Sequence, residues 1–115
     1  MILQITIDEK NYSIEIPQDV LDEGQSFFQI MDQDMDQGWQ MSREYVRNPD
    51  VKQRCQIVAD RLLTAILNEN TQSLLLMAGY IVKHLSDLES VDIDTTGNMH
   101  ETRFFFKDVE QINQP

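Results

Sequence analysis

Residues 74–82 are nine consecutive apolar or neutral residues, Leu-Leu-Leu-Met-Ala-Gly-Tyr-Ile-Val, without a charge among them. A helix that is apolar on every side is typical of the interior of a domain rather than of its surface. We therefore expect this stretch to form a central helix around which the other elements pack. Its cap is expected at Asn70 or Thr71. The helix is expected to end at about Leu85 or Leu88.

Near the N-terminus the pattern changes to an alternation of apolar and polar residues, which predicts a β-hairpin over residues 2–16. Residues 8–11 are expected to form the loop, with Ile5 opposite Ile14. In this register every apolar side chain of the two strands lies on one face, and the burial of one face is what fixes a strand register.

The next segment has apolar residues three and four positions apart, which is the spacing of an amphipathic helix. These residues are Val20, Leu21, Phe27, Phe28, Met31, Met35, Trp39 and Val46. Gly38 interrupts the segment, and glycine costs about 1 kcal/mol relative to alanine inside a helix. We expect either one helix over residues 18–47 or two helices that meet near Gly38. Asn48-Pro49 should end this segment, with Asn48 capping a second helix that reaches about Asn68.

A second alternating segment begins at Val91, and Gly97-Asn98 favours a two-residue turn after it. The chain is expected to return through residues 99–106, with Val91 opposite Phe104. Because Phe104-Phe105-Phe106 is apolar on both faces of a strand, at least one ring must be covered by something beyond the sheet.

These elements predict an α+β fold with an N-terminal β-hairpin, three helices of which the first is long or kinked, and a C-terminal β-hairpin. The two hairpins are expected to join in one antiparallel sheet that packs on the helices. A chain of 115 residues has the length of one domain. We expect residues 1–106 to form that domain and the polar residues 107–115 to be a disordered tail.

The charge is strongly unbalanced, because 20 acidic residues face 9 basic ones and the net charge is −11. Phosphates and anionic lipids are repelled by such a protein, so direct binding to nucleic acid or to a membrane is not expected, whereas a basic protein partner would be attracted. The chain has neither a recognisable signal peptide nor an apolar run of membrane-spanning length. We therefore expect a cytoplasmic protein.

Three carboxylates at alternate positions, Asp32, Asp34 and Asp36, precede Gly38 and partly match a calcium-binding loop. That loop needs glycine directly after the third ligand and glutamate at the twelfth position, where this chain has Arg43. In a helix, moreover, Asp34 points away from the face shared by the other two. The three are weak metal candidates, and a solvated acidic face is the favoured interpretation. No cofactor is expected.

Catalytic groups are sparse. Cys55 lies on an apolar stripe and is expected to be a buried thiol. His84 is explained by the C-terminal end of the central helix, where a positive charge is favourable. With His100 near a turn as the only other histidine, general acid–base catalysis has little support. We therefore expect that the protein is not an enzyme.

Two segments are rich in the residue types found at the centres of protein interfaces. The candidate interface residues are Trp39, Met41, Arg43, Tyr45, Phe104, Phe105 and Phe106. Trp39 and Arg43 would stack if that segment were helical, because they are four positions apart. The sequence thus favours a small, non-enzymatic protein interaction or structural module, which could be a homodimer.

Two alternatives remain open from the sequence. In the first, the protein is an acidic mimic of nucleic acid in which the acids between residues 19 and 36 stand in for phosphates and occupy a basic protein's binding site. In the second, less favoured alternative, it is a metal-binding or enzyme accessory subunit.

Overall fold

The computed structural model describes residues 1–107, so the expected tail lies, apart from Lys107, outside the described residues. The described residues form an α+β fold with four helices, a four-stranded sheet and a two-stranded sheet. In chain order the elements are β1 (Ile2–Ile7), β2 (Lys10–Glu15), α1 (Gln18–Glu23), α2 (Gln25–Asp36), β3 (Trp39–Met41), β4 (Glu44–Val46), α3 (Val51–Leu67), α4 (Thr71–His84), β5 (Leu88–Asp92), a 3₁₀ turn (Met99–Glu101) and β6 (Arg103–Phe106).

The four-stranded sheet has the order β2-β1-β5-β6, so the two terminal strand pairs join in one sheet as expected. The junction differs from the expectation, because β1 and β5 run parallel and the sheet is mixed rather than antiparallel. The alternation within a strand fixes which face is buried but not the direction of its neighbour. That direction is set here by the long helical connection, which brings β5 back beside β1 in the same orientation.

The expected register of the first hairpin is wrong by two residues. Ile5 lies opposite Tyr12, and Leu3 lies opposite Ile14. The turn contains only Asp8 and Glu9, both with positive φ, which is the backbone of a type I′ turn. A shift of two residues preserves the faces of the strands, so the expected apolar face is still the buried one.

The segment 18–47 is neither one helix nor two helices that meet at Gly38. The helix is interrupted at Gly24, between α1 and α2, and the chain after Gly38 forms the β3–β4 hairpin. Gly38 has a φ of +102°, which is incompatible with continuing the α-helix. Ser42, with a φ of +58°, lies in the turn between β3 and β4. The expectation that residues 39–47 are helical is therefore wrong.

The central helix agrees with its prediction. In α4 every residue from Met77 to Val82 is buried, while residues 74–76 are half-buried. The Asn70 side chain caps this helix by accepting a hydrogen bond from the Ser73 N–H at 3.1 Å. Within residues 1–107, none of the helices combines the length and the apolar character needed to cross a membrane.

Two other boundaries differ from the expected ones. Asp50, not Asn48, caps α3, because it forms a reciprocal pair of hydrogen bonds with Gln53 at 2.8 and 2.9 Å. The β5–β6 pair has the expected register of Val91 opposite Phe104. Its connection is longer than a two-residue turn, because the Asp94 carboxylate accepts hydrogen bonds from the Thr96 and Asn98 N–H groups and shapes a loop instead.

Candidate protein interaction site

The three phenylalanines of β6 lie on an outer strand of the four-stranded sheet. Phe104 is half-buried and packs against the core opposite Val91. Phe105 and Phe106 remain 46% and 50% exposed. The sheet and core therefore cover one of the three rings and leave two at the surface.

A groove of about 380 Å³ follows this strand, because all four β6 residues line it. The other lining residues are Lys52, Leu85, His100 and Thr102. Lys52 and Arg103 carry positive charge there, and no carboxylate is among the eight lining residues. The lining of the groove therefore lacks the acidic excess of the chain as a whole, in which acidic residues outnumber basic ones by 20 to 9. We call the groove, together with the exposed Phe105 and Phe106 rings, the β6 surface.

The β6 surface is held in place by a buried amide. Gln56 of α3 is 3% exposed, and its side-chain N–H groups donate to the carbonyls of His100 and Thr102, both at 3.1 Å. The Thr102 hydroxyl in turn accepts from the Asp94 N–H at 3.0 Å. Sequence reasoning missed Gln56, although a single polar residue within the apolar run 55–59 was the available signal.

The outward side of β6 also carries charge. Arg103 lies 3.3 Å from the Asp92 carboxylate, and its guanidinium carbon is 5.8 Å from the centre of the Phe105 ring. At the end of the strand the Lys107 N–H donates to the Asp87 carbonyl at 2.9 Å. Phe105 therefore presents its ring next to a cation rather than within a purely apolar patch.

In the other predicted interface segment, residues 39–45, some side chains lie in the core and others at the surface. Met41 is fully buried and Trp39 half-buried, whereas Arg43 and Tyr45 are exposed. The predicted stacking of Trp39 on Arg43 is wrong, because these residues belong to a hairpin and its turn rather than to one helix face. Tyr45 is fixed by its hydroxyl, which donates to the Gln37 carbonyl at 2.9 Å. This segment therefore does not form one continuous contact surface.

The tip of the β3–β4 hairpin is connected to the loop before β6. The Ser42 hydroxyl accepts a hydrogen bond from the Met99 N–H at 2.9 Å. Glu44 lies 3.1 Å from Nε2 of His100, which is an ion pair when the imidazole is protonated. The hairpin thus supports the β6 surface from the side.

The three aspartates that were weak metal candidates have different surroundings. Asp32 and Asp36 face Arg54 of α3 at 3.2 and 2.7 Å, whereas Asp34 is exposed and outside this network. Asp32 also accepts a hydrogen bond from the Tyr80 hydroxyl. Among residues 1–107, no three His, Cys, Asp or Glu side chains are grouped in a way that could hold a metal ion. The cation next to these aspartates is a guanidinium.

His84 completes this network, which we call the Arg54 cluster and which consists of Asp32, Asp36, Arg54, Tyr80 and His84. The imidazole stacks on the Tyr80 ring with the centroids 4.1 Å apart, its Nδ1 is 2.9 Å from the Tyr80 carbonyl and its Nε2 is 3.4 Å from Asp32. Nδ1 is therefore within hydrogen-bond distance of a carbonyl, and Nε2 faces a carboxylate with which it forms an ion pair when the imidazole is protonated. The sequence explained His84 by the helix end alone and did not reveal these partners, of which Tyr80 is on the same helix and Asp32 is on α2.

The pKa shifts of Tyr80, Arg54 and Cys55 are those expected of groups with a structural role. Burial, and then the hydrogen bond to Asp32, raise the pKa of Tyr80 well above its usual range. Burial lowers the pKa of Arg54, but its hydrogen bonds to Asp36 and Asp32 outweigh this effect and raise it overall. Burial, reinforced by the charge of Asp32, raises the pKa of Cys55 to about 12. The buried thiol therefore stays protonated near neutral pH, which does not suit a nucleophile.

No family model, curated protein or solved structure matches this chain. Its function is therefore inferred from the contacts, exposure and charges of its own residues.

Proposed function

We propose that the protein is a non-enzymatic interaction module that binds another protein through the β6 surface. The observation that carries the proposal is that two consecutive phenylalanine rings of an outer strand each remain about half exposed. Aromatic side chains bury much apolar area for little loss of conformational freedom, and they are enriched at interface centres. A groove beside them supplies the concave shape in which an interface anchor can pack.

The Arg54 cluster supports a non-enzymatic interpretation. Nδ1 of its histidine lies against the Tyr80 carbonyl, Nε2 faces the Asp32 carboxylate, and the nearby Cys55 thiol is buried and holds its proton. A general base or a nucleophile needs a free lone pair within reach of a substrate. The cluster instead connects α2, α3 and α4, which is the arrangement expected of a structural element.

The nucleic-acid mimic has weaker support. Two of the acids that would stand in for phosphates, Asp32 and Asp36, both face the single positive charge of Arg54, which offsets part of their negative charge. The same cluster engages Asp32 and Asp36, so Asp34 is the one of the three metal candidates that remains outside it. Binding by a mimic would weaken steeply with salt, whereas contacts through phenylalanine rings depend less on ionic strength.

The proposal is tested by affinity capture from the native host, followed by mass spectrometry, with three versions of the chain. The wild type is compared with the double variant Phe105→Thr/Phe106→Thr, which retains strand propensity but removes both rings. The matched control is Ile30→Ala/Leu67→Ala, because these side chains are 54% and 74% exposed and lie on helices. All three must show the same cooperative unfolding.

A partner that is captured by the wild type and the control, but not by the phenylalanine variant, is the expected result. A partner retained by the phenylalanine variant contradicts the proposed surface. Equal loss in both variants would point to a general effect of exposed apolar area, and it would also reject the β6 surface.

A further inference from the structure

We infer that the β6 surface accepts an extended peptide segment of the partner, which adds to β6 as a fifth strand and places an acidic side chain next to Lys52. This inference deepens the proposed function and rests on it. The partner segment is defined by its chemistry: apolar side chains at alternate positions, with a carboxylate near one end.

The first reason is the position of β6 in the sheet. It pairs with β5 on one side and is the last strand in the order β2-β1-β5-β6. An outer strand offers a row of backbone N–H and C=O groups to an incoming strand, and peptide recognition by strand addition uses such rows. The groove follows the same four residues, so side chains of an added strand would have a depression to enter.

The second reason is that the groove has apolar and cationic walls. Leu85 and the rings of Phe104 and Phe106 supply apolar surface, and Lys52 and Arg103 supply positive charge. Lys52 is exposed, and within residues 1–107 no carboxylate lies within 4.0 Å of its ammonium group. The groove therefore matches a segment that is apolar and acidic.

The end of the groove at Lys52 is positive because of the ammonium group. Lys52 is the second residue of the 17-residue helix α3, whose N-terminus is already capped by the Asp50 carboxylate, so the ammonium group rather than the helix dipole provides the attraction for an anion there. A carboxylate of the partner is therefore expected at this end of the groove rather than beside Asp92, which already faces Arg103.

A second copy of the chain is the less suitable occupant. Each copy carries a net charge of −11, and two such molecules repel one another as they approach. A short segment of a larger partner brings only its local charge to the groove. We therefore commit to a peptide segment of a different protein.

The experiment uses the full chain, immobilised, to select from random peptides of about ten residues displayed on phage, a length that spans β6 with residues to spare. Enrichment of peptides with alternating apolar residues and an acidic residue near one end is the expected result. The most enriched peptide is then synthesised, and its binding is measured by fluorescence anisotropy. N-methylation of alternate amides on one edge should abolish binding, and N-methylation on the other edge should leave it unchanged, because only one edge pairs with β6.

Charge reversal tests the position of the carboxylate. Lys52→Glu is expected to weaken binding of the selected peptide about tenfold or more. Lys10→Glu is the matched control, since it makes the same change in net charge at β2, the opposite edge of the sheet. Binding by the Lys10→Glu variant should equal that of the wild type. Equal effects of the two substitutions would overturn the assignment of the carboxylate to Lys52.

The other outcomes also decide the matter. No enrichment, enrichment of basic peptides, or apolar residues spaced as on a helix overturns the inference. So does a dimer in light scattering that dissociates in the Phe105→Thr/Phe106→Thr variant, because a second copy would then occupy the surface. Displacement of the selected peptide by a synthetic peptide of residues 108–115 would assign the site to the chain itself. If lysate capture depends on the two rings and no peptide binds, the proposed function stands and the peptide inference fails.

Discussion

At the scale of single residues, Arg54 has the most consequential set of contacts. Its guanidinium reaches Asp32 and Asp36, and its Nε donates to the Pro49 carbonyl at 2.8 Å, while only 14% of the side chain is exposed. A charged group with several partners and little exposure costs much when one member is removed, because the others are left partly buried and unpaired. Arg54 therefore matters more for stability than any exposed base on the surface.

Replacing Arg54 by methionine is expected to lower the free energy of unfolding by about 2 kcal/mol, a value reduced for the partial exposure of Asp32 and Asp36. Urea unfolding at neutral pH measures the change. Arg61→Met is the control on the same helix, because Arg61 is exposed, and it should change stability by about 0.5 kcal/mol or less. Equal effects of the two substitutions would mean that the cluster contributes nothing beyond an ordinary surface charge.

Tyr80 of the Arg54 cluster and the nearby Cys55 lead us to expect a loss of stability at alkaline pH. Burial raises the pKa of Cys55 from 9.0 to about 12, and burial together with the Asp32 hydrogen bond raises that of Tyr80 above its ordinary 10.0. Both groups keep their protons in the folded chain at a pH where the unfolded chain loses them. Their contribution to stability is therefore complete below about pH 9 and is lost progressively as the pH rises toward 12.

Urea midpoints at several pH values between about 8 and 11 measure this loss. Cys55→Ala should have a shallower decline above pH 9.0, the ordinary thiol pKa, because its contribution to the pH dependence is removed. Tyr80→Phe should flatten the decline above its ordinary pKa of 10.0. A wild-type midpoint that stays constant across this range would contradict the raised pKa values.

At the scale of elements, the β3–β4 hairpin depends on Gly38. Its φ of +102° disfavours any side chain, and a Cβ atom there would lie 2.3 Å from the Tyr45 hydroxyl oxygen. Gly97 also has a positive φ, of +90°, but a Cβ atom there would meet nothing within 4 Å. Substitution at Gly97 therefore measures the cost of placing a side chain at positive φ. Substitution at Gly38 measures that cost together with the steric overlap between the new Cβ atom and Tyr45.

Gly97→Ala is expected to cost about 1 kcal/mol of stability from conformation alone. Gly38→Ala should cost roughly 1–3 kcal/mol more, because Tyr45 must move and lose its hydrogen bond to Gln37. Adding Tyr45→Ser should restore much of that difference, and thermal or urea unfolding of the three variants and the wild type completes the comparison. Equal costs at Gly38 and Gly97, with no rescue, would show that Tyr45 imposes no restraint.

Elements with a long or regular pattern could be predicted from the sequence, and short ones could not. The nine uncharged residues 74–82 predicted α4, and the register expected from a turn at Gly97-Asn98 placed Val91 opposite Phe104, as in the structure. Strands of only three residues, such as Trp39–Met41, are too short for alternation to be distinguished from helical spacing. The first hairpin's register depended on whether the turn held two residues or four, which alternation alone cannot decide.

The candidate site was predicted in part for a similar reason. The phenylalanines of β6 were recognised because no strand can bury three consecutive rings from one side. Gln56 and Arg54 were missed because their partners are distant in sequence: Thr102 for the first and Asp32 for the second. Hydrogen bonds between elements leave no periodic trace in either element, so they become visible only when the elements are placed together.

At the scale of the whole molecule, the excess of negative charge opposes folding. A net charge of −11 on a compact chain is self-repulsive, and the repulsion is relieved when the chain expands. Few local attractions compensate it, because the Arg54 cluster and the exposed Arg103–Asp92 pair provide the arginine–aspartate ion pairs found within residues 1–107. Salt should therefore weaken repulsion more than attraction.

Raising the ionic strength from about 0.01 M to about 0.15 M shortens the Debye length from about 30 to about 8 Å, and we expect the folded chain to gain roughly 1 kcal/mol of stability. Urea midpoints in sodium chloride measure the gain. A variant with Asp34→Asn, Glu69→Gln and Glu89→Gln removes three exposed charges at almost constant shape, so its midpoint should respond less to salt. A midpoint that falls with added salt would mean that the pairs around Arg54 outweigh the repulsion of all the remaining charges, and the cluster would then be the main electrostatic support of the fold.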